Sequence, residues 1–177
     1  THKIISTKEL IDSGKLADLK VKVLMLNHPK EECQKIKGGT YQDEVDHIVS
    51  YNPRNKFIRN LAVSLRGNTL ILYAYVEKHG EVLHDMIRDK AGERKVFFVH
   101  GGVDGEERES IRHIVEKEND AIIVASYGTF STGINIKNLH NVVFASPTKS
   151  RIRTLQSIGR GLRISDTKDS MTLFDIA

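Results

Sequence analysis

Five short, nearly continuous apolar runs set the frame for everything after Gly67: Leu70–Ala74, Val96–Val99, Ala121–Ala125, Val142–Ala145 and Met171–Phe174. Between them lie stretches whose apolar residues recur at helical spacing, over 78–90, 105–118 and 149–162. A strand that is apolar on both faces needs cover on both faces. Such strands alternating with helices predict an α/β fold, a parallel sheet with helices on both sides. Ligands on sheets of this kind bind in the loops at the carboxyl ends of the strands.

The first 52 residues read differently. They hold one strand candidate, Val21–Leu26, then a Lys/Glu-rich stretch, a Gly38-Gly39 break, and Val45, Ile48 and Val49 at helical spacing. Pro53 marks a boundary, with a helix through Phe57, Ile58, Leu61, Ala62 and Leu65 that ends at Gly67. The expected division is an extension or inter-lobe segment over 1–52 and one domain over 53–177.

Charge is uneven. The chain carries 27 Lys+Arg against 23 Asp+Glu, a formal net charge of +4. Five basic residues (Lys149, Arg151, Arg153, Arg160, Arg163) fall between Pro147 and Ser165 with no acid among them, so this segment outweighs the net charge of the whole chain. It reads either as a solvated basic helix or as a surface facing phosphates. No apolar run approaches the ~20 residues of a membrane-spanning helix, and no partner membrane is expected. The lone Cys33 excludes a disulfide framework and favours a reducing compartment. The chain opens without a signal peptide or an initiator Met, and is expected to be a piece of a larger protein.

Two patterns mimic phosphate chemistry. Gly14-Lys15 is followed by Leu16 and has Glu9 where a P-loop requires Gly, so the Walker A signature is absent. Asp43-Glu44-Val45-Asp46 looks like a Mg²⁺-holding acidic box, but no apolar strand precedes it. It reads as the acidic start of a helix. His79 and His84 are five apart, with no carboxylate or Cys cluster to join them, so the eight His are read as structural and no metal site is expected.

Two constellations carry more. Ser126–Ile136 follows a buried strand, is rich in hydroxyls and glycines, and holds no charge. Its Ser126 and Thr129 suit backbone phosphate or ribose contact. In Gln156–Arg163, a helix at 100° per residue puts Gln156, Arg160 and Arg163 within about 60° of one another. Leu155, Ile158 and Leu162 form a separate packing face. Grouped guanidiniums repel unless an anion comes between them, and their planar fork donates bidentately to phosphate. Gly159 and Gly161 cost about 1 kcal/mol each inside a helix, which close backbone approach at a site accounts for. Gly101-Gly102 after the second run fits both a phosphate backbone approached closely and a tight turn before a helix.

The order strand, Ser126-x5-Thr132-Gly133-Ile134-Asn135, strand, Gln156-x2-Gly159-Arg160-x2-Arg163 resembles motifs V and VI of superfamily 2 helicases and translocases, with Leu70–Tyr75 where motif IV stands. The wording Val124–Gly133, followed by Lys137-Asn138-Leu139-His140, is similar to phage recombination and fork-remodelling DNA helicases of that superfamily. The resemblance covers about residues 53–177 and implies the second RecA-like lobe of an ATP-dependent DNA motor. It implies Arg163 as an arginine finger, Arg160 on the γ-phosphate, Gln156 ordering the site, and Gly133 and Asn135 near the ribose. It implies ATP as cofactor, with Mg²⁺ held by an N-terminal RecA-like lobe of the same polypeptide.

For nucleic acid the resemblance implies a branched or single-stranded DNA backbone, with Ser126 in contact. Many relatives carry a hydroxyl late in motif IV where this chain has Ala74, so that contact either comes from elsewhere, with Tyr75 and Lys78 as the candidates, or is missing. Many also carry Asp at the position of Asn135. The implied setting is the cytoplasm of a phage-infected bacterial cell. A chain without Walker A or an acidic box is expected to be inactive alone. Two other readings fit the same basic segment: a non-catalytic module that grips nucleic-acid backbone, and an interaction domain that docks an acidic partner.

Overall fold

The structure, a computed structural model, describes residue 9, residues 17–132, residue 136, residues 138–147 and residues 170–177. In chain order the described elements are β1 (Asp18–Leu24), α1 (Lys30–Lys35), α2 (Tyr41–Ser50), α3 (Asn52–Ser64), β2 (Thr69–Tyr73), a π-helical turn (Val76–Gly80) and α4 (Glu81–Arg88). After them come β3 (Val96–Val99), α5 (Gly105–Lys117), β4 (Ile122–Ser126), α6 (Tyr127–Thr132), β5 (Asn141–Phe144) and β6 (Ser170–Ile176). The six described strands form one sheet in the order β1-β6-β5-β2-β4-β3. Every pairing in it is parallel.

The pleat explains why the central strands are largely apolar. Leu70, Leu72, Ile123, Ala125, Val142 and Phe144 turn to one face, where they meet Val115 of α5 together with Phe130, Ile136 and Leu139. Ile71, Tyr73, Ile122, Val124 and Val143 turn to the other, against Ile58 and Ala62 of α3 and Leu83 and Ile87 of α4. Successive side chains of the central strands alternate between two cores, so the middle of each of β2, β4 and β5 is apolar and polar residues fall at the ends, as with Thr69, Ser126 and Asn141. The predicted parallel sheet covered on both faces is the observed one.

Asn68 anchors the amino-terminal edge. Its Nδ2 donates to the carbonyls of Val115 and Glu118 while its Oδ1 accepts from Ala121 N. Arg94 caps the end of α3 by donating to the carbonyls of Ala62, Val63 and Leu65. The loops at this edge are thereby tied down, as the framework of a site at the opposite edge requires.

Two elements differ from the sequence expectation. The strand read over Val21–Leu26 begins earlier, at Asp18, because β1 runs parallel to β6 from Asp18 opposite Ser170 to Leu24 opposite Ile176. The helix read over 78–90 is split, with the π-turn preceding α4. Gly80 N donates to Tyr75 O at 2.9 Å, one residue wider than an α-turn. The glycine is required there: a Cβ on Gly80 would lie 2.4 Å from the Tyr73 ring. Asp43-Glu44-Val45-Asp46 opens α2, where Thr40 and Asp43 form a reciprocal cap. The predicted helix 149–162 lies outside the described residues. No helix among the described residues is long and apolar enough to cross a membrane.

Candidate functional site

The carboxyl ends of β5, β2 and β4 lie side by side in the middle of the sheet. Tyr73 is in register with Ser126, and Leu72 with Phe144. The segments that follow these three strands therefore emerge together: Ala74 into the π-turn, Tyr127 into α6, and Ala145-Ser146-Pro147. The sequence candidates Tyr75, Lys78, Ser126 and Thr129 all fall at this edge.

Their local chemistry differs. Ser126 is half-buried, and its Oγ accepts from Thr129 N at 3.1 Å and lies 2.7 Å from Thr129 Oγ1. Thr129 is only 4% exposed, so its hydroxyl orients Ser126 from beneath. Lys78 is exposed and pairs with Asp46 Oδ2 of α2 at 3.1 Å. Tyr75 Oη accepts from Gln42 Nε2, also of α2, at 3.2 Å. The helix that resembled an acidic box thus faces the two motif IV candidates.

Gly101 and Gly102 stand apart, after the outer strand β3. They form a turn closed by Val103 N donating to His100 O, with Gly102 N donating to His100 Nδ1. Both are exposed. Gly133, Asn135, Gln156, Arg160 and Arg163 lie outside the described residues.

Beneath the edge is a buried polar junction that spacing alone did not reveal. His79 Nδ1 lies 2.7 Å from Ser146 Oγ and its Nε2 lies 3.1 Å from Asn55 Oδ1. Ser146 Oγ also accepts from Ala74 N at 3.0 Å, and the Ser146 carbonyl accepts from Tyr127 Oη at 3.1 Å. Arg54, 3% exposed, donates to the carbonyls of Ala145 and Ile176.

Burial, reinforced by the Arg54 charge, lowers His79 to about 3, so the ring is neutral at physiological pH. Burial lowers Arg54 to about 10, with Tyr127 and Asp175 opposing, and it stays charged. Burial pushes the Tyr127 phenol up. One signal was legible: Arg54 falls on the same stripe as Ile58 and Ala62, every fourth residue, where an apolar side chain is expected.

Comparison with known proteins identifies the family and the fold. Residues 53–165 match the family described as the helicase conserved C-terminal domain. The chain is 40% identical, over 98% of its length, to the ATP-dependent DNA helicase UvsW of Enterobacteria phage T4, and spans 35% of that protein. It superimposes on the crystal structure of T4 UvsW with a TM-score of 0.76, covering 91% of this chain and 33% of that one. A putative ATP-dependent helicase of Saccharomyces cerevisiae is 28% identical over 59% of the chain, which spans 15% of that relative.

Proposed function

The chain belongs to the helicase conserved C-terminal domain family, and we propose that it is the second motor lobe of an ATP-dependent DNA helicase or translocase acting on branched, recombination or replication-fork DNA. The observation that carries the reading is the sheet edge itself. Ser126 at the end of β4 and Tyr75 and Lys78 after β2 lie at the same edge as the exit of β5, with β2 next to β5 and β4 beyond it, and from β5 the chain runs on to Gln156, Arg160 and Arg163. The 40% identity to a phage DNA helicase supports the choice of DNA. The motor lobe is assigned to residues 53–177, with 1–52 as the segment before it, whose β1 completes the lobe's sheet alongside β6. The setting is the cytoplasm of an infected bacterial cell.

The lobe has no covalent step to perform. ATP and its Mg²⁺ are held chiefly by an N-terminal lobe of the same polypeptide. Arg163 and Arg160 reach across the cleft to the phosphates, Gln156 orders them, and Gly133 and Asn135 line the ribose side. An arginine finger contributes about 10³–10⁵ in rate by stabilising transition-state charge. Ser126, oriented by Thr129, and the Tyr75–Lys78 loop touch the DNA backbone, with the Gly101-Gly102 turn at the flank. Closing and opening of the lobes moves these contacts along the strand. Backbone contact makes binding weakly sequence-specific and salt-dependent.

The test is phosphate release and strand separation by the full native polypeptide on branched, linear duplex and single-stranded DNA. ATP-dependent unwinding with strongest stimulation by branched DNA is expected. DNA binding without hydrolysis on any substrate overturns the motor reading in favour of a backbone-binding module.

A further inference from the structure

Ala145 and Ser146 are the last residues before Pro147 and the arginine-bearing segment, and their polar groups are held by five residues from elsewhere in the fold. Ala145 N donates to Leu72 O of β2 at 2.9 Å, and Ala145 O accepts from Arg54 of α3 at 2.6 Å. Ser146 Oγ meets the Ala74 amide just after β2 and the His79 ring of the π-turn, and Ser146 O accepts from Tyr127 of α6. Resting on the motor reading above, we infer that Ser146 is a positioning residue: its hydroxyl ties the DNA-facing loop after β2 to the exit of β5, and so fixes where the arginine segment starts.

The directions of these bonds admit one arrangement. Asn55 Nδ2 donates to Val49 O at 2.9 Å, which aims Asn55 Oδ1 at His79. A carbonyl oxygen only accepts, so His79 Nε2 carries the proton and Nδ1 is the acceptor. Ser146 O–H must then donate to Nδ1, leaving its oxygen to accept from Ala74 N. Burial and the Arg54 charge keep the ring neutral, so the order holds throughout the physiological range.

Ser146 is 2% exposed and His79 is fully buried, so a broken link leaves a polar group without water to replace its partner. Lys78 precedes His79 directly in the chain. A displacement of Lys78 by a nucleic-acid strand therefore bears on the hydrogen bond that holds Ser146, sixty-seven residues further on.

The experiment uses the full native polypeptide with Ser146→Ala, Ser146→Thr, Arg163→Ala and the Ser146→Ala/Arg163→Ala double variant. Steady-state DNA-stimulated hydrolysis gives kcat and KM for ATP; DNA affinity and the thermal midpoint are measured on the same samples. Ser146→Ala is expected to lower kcat about tenfold or more while KM and DNA affinity stay within about twofold. Ser146→Thr, which keeps the hydroxyl, restores most of the loss. In the Arg163→Ala background Ser146→Ala costs less than about twofold further, because both act on one step.

An unchanged kcat in Ser146→Ala, or a full additional loss in the double variant, overturns the inference. Arg163→Ala with undiminished hydrolysis overturns the motor reading instead. Should Ser146→Ala fail to fold, His79→Gln takes its place, with the same kcat loss expected and an unchanged kcat again contradicting.

Discussion

The Arg54 guanidinium donates to the Ala145 carbonyl at 2.6 Å and to the Ile176 carbonyl at 3.1 Å, clasping the carboxyl ends of β5 and β6 from helix α3. The guanidinium suits this span because its planar fork holds several donors in fixed directions. Arg54→Met fills much of the volume and removes both bonds, leaving two strand-end carbonyls without these donors. A loss of about 2–4 kcal/mol is expected in denaturant unfolding, with Arg54→Lys intermediate. A loss below about 0.5 kcal/mol, typical of an unremarkable surface site, contradicts the clasp.

His79 gives stability a pH dependence of known sign. Its folded value, about 3, lies below the ordinary 6.5, so between these pH values the unfolded chain binds the extra proton. The contribution is fully present above about pH 6.5 and is lost as pH falls toward 3. His79→Gln has no such proton to bind. The stability gap between wild type and His79→Gln therefore narrows as pH is lowered from 7 to 4, as read by denaturant titrations at each pH. A gap that is constant or widens contradicts the burial of a neutral ring.

Gly80 is required by its contact with Tyr73 rather than by a left-handed backbone, since its φ is −62°. Gly80→Ala drives a methyl into the ring and is expected to destabilise by about 1–3 kcal/mol. Gly101→Ala meets open space, with nothing within 4 Å, and is expected to stay within about 0.5 kcal/mol of wild type. Thermal unfolding of the pair separates a packing requirement from a generic glycine effect.

Lys78 pairs with Asp46 and is the cation proposed to reach the DNA backbone. Lys78→Ala in the full polypeptide is expected to weaken single-stranded DNA binding uniformly across sequences and to reduce the salt slope by about 0.7. Asp46→Asn releases the ammonium and strengthens binding. Fluorescence anisotropy at several salt concentrations reads both, and a Lys78→Ala slope equal to that of wild type removes Lys78 from the interface.

The apolar runs made most of the sheet legible, because the central strands are covered on both faces and hold few polar positions to blur them. Leu70–Ala74 and Ala121–Ala125 each fall within one residue of the observed β2 and β4. The π-turn was not legible. Helical periodicity does not distinguish a five-residue turn from a four-residue one, and only the Tyr73 ring packed on Gly80 explains it.

The start of β1 was hidden for another reason: Asp18 and Lys20 are polar, and their strand geometry comes from pairing with β6. At the site, Ser126, Thr129, Tyr75 and Lys78 could be placed from the strand ends alone. The His79–Ser146–Asn55 junction could not, since it joins residues from three separate elements that no spacing relates. Roles for Gln156, Arg160, Arg163, Gly133 and Asn135 rest on the motif pattern and the family match.

The most direct measurement is single-turnover phosphate release by the full native polypeptide at saturating ATP and DNA, wild type beside Arg163→Ala, with DNA binding followed in the same samples. A second motor lobe predicts a fall of about 10³–10⁵-fold on losing the finger, with DNA affinity retained. Hydrolysis that survives the substitution within about tenfold, or that disappears only together with DNA binding, contradicts the account and leaves a basic surface that grips nucleic acid.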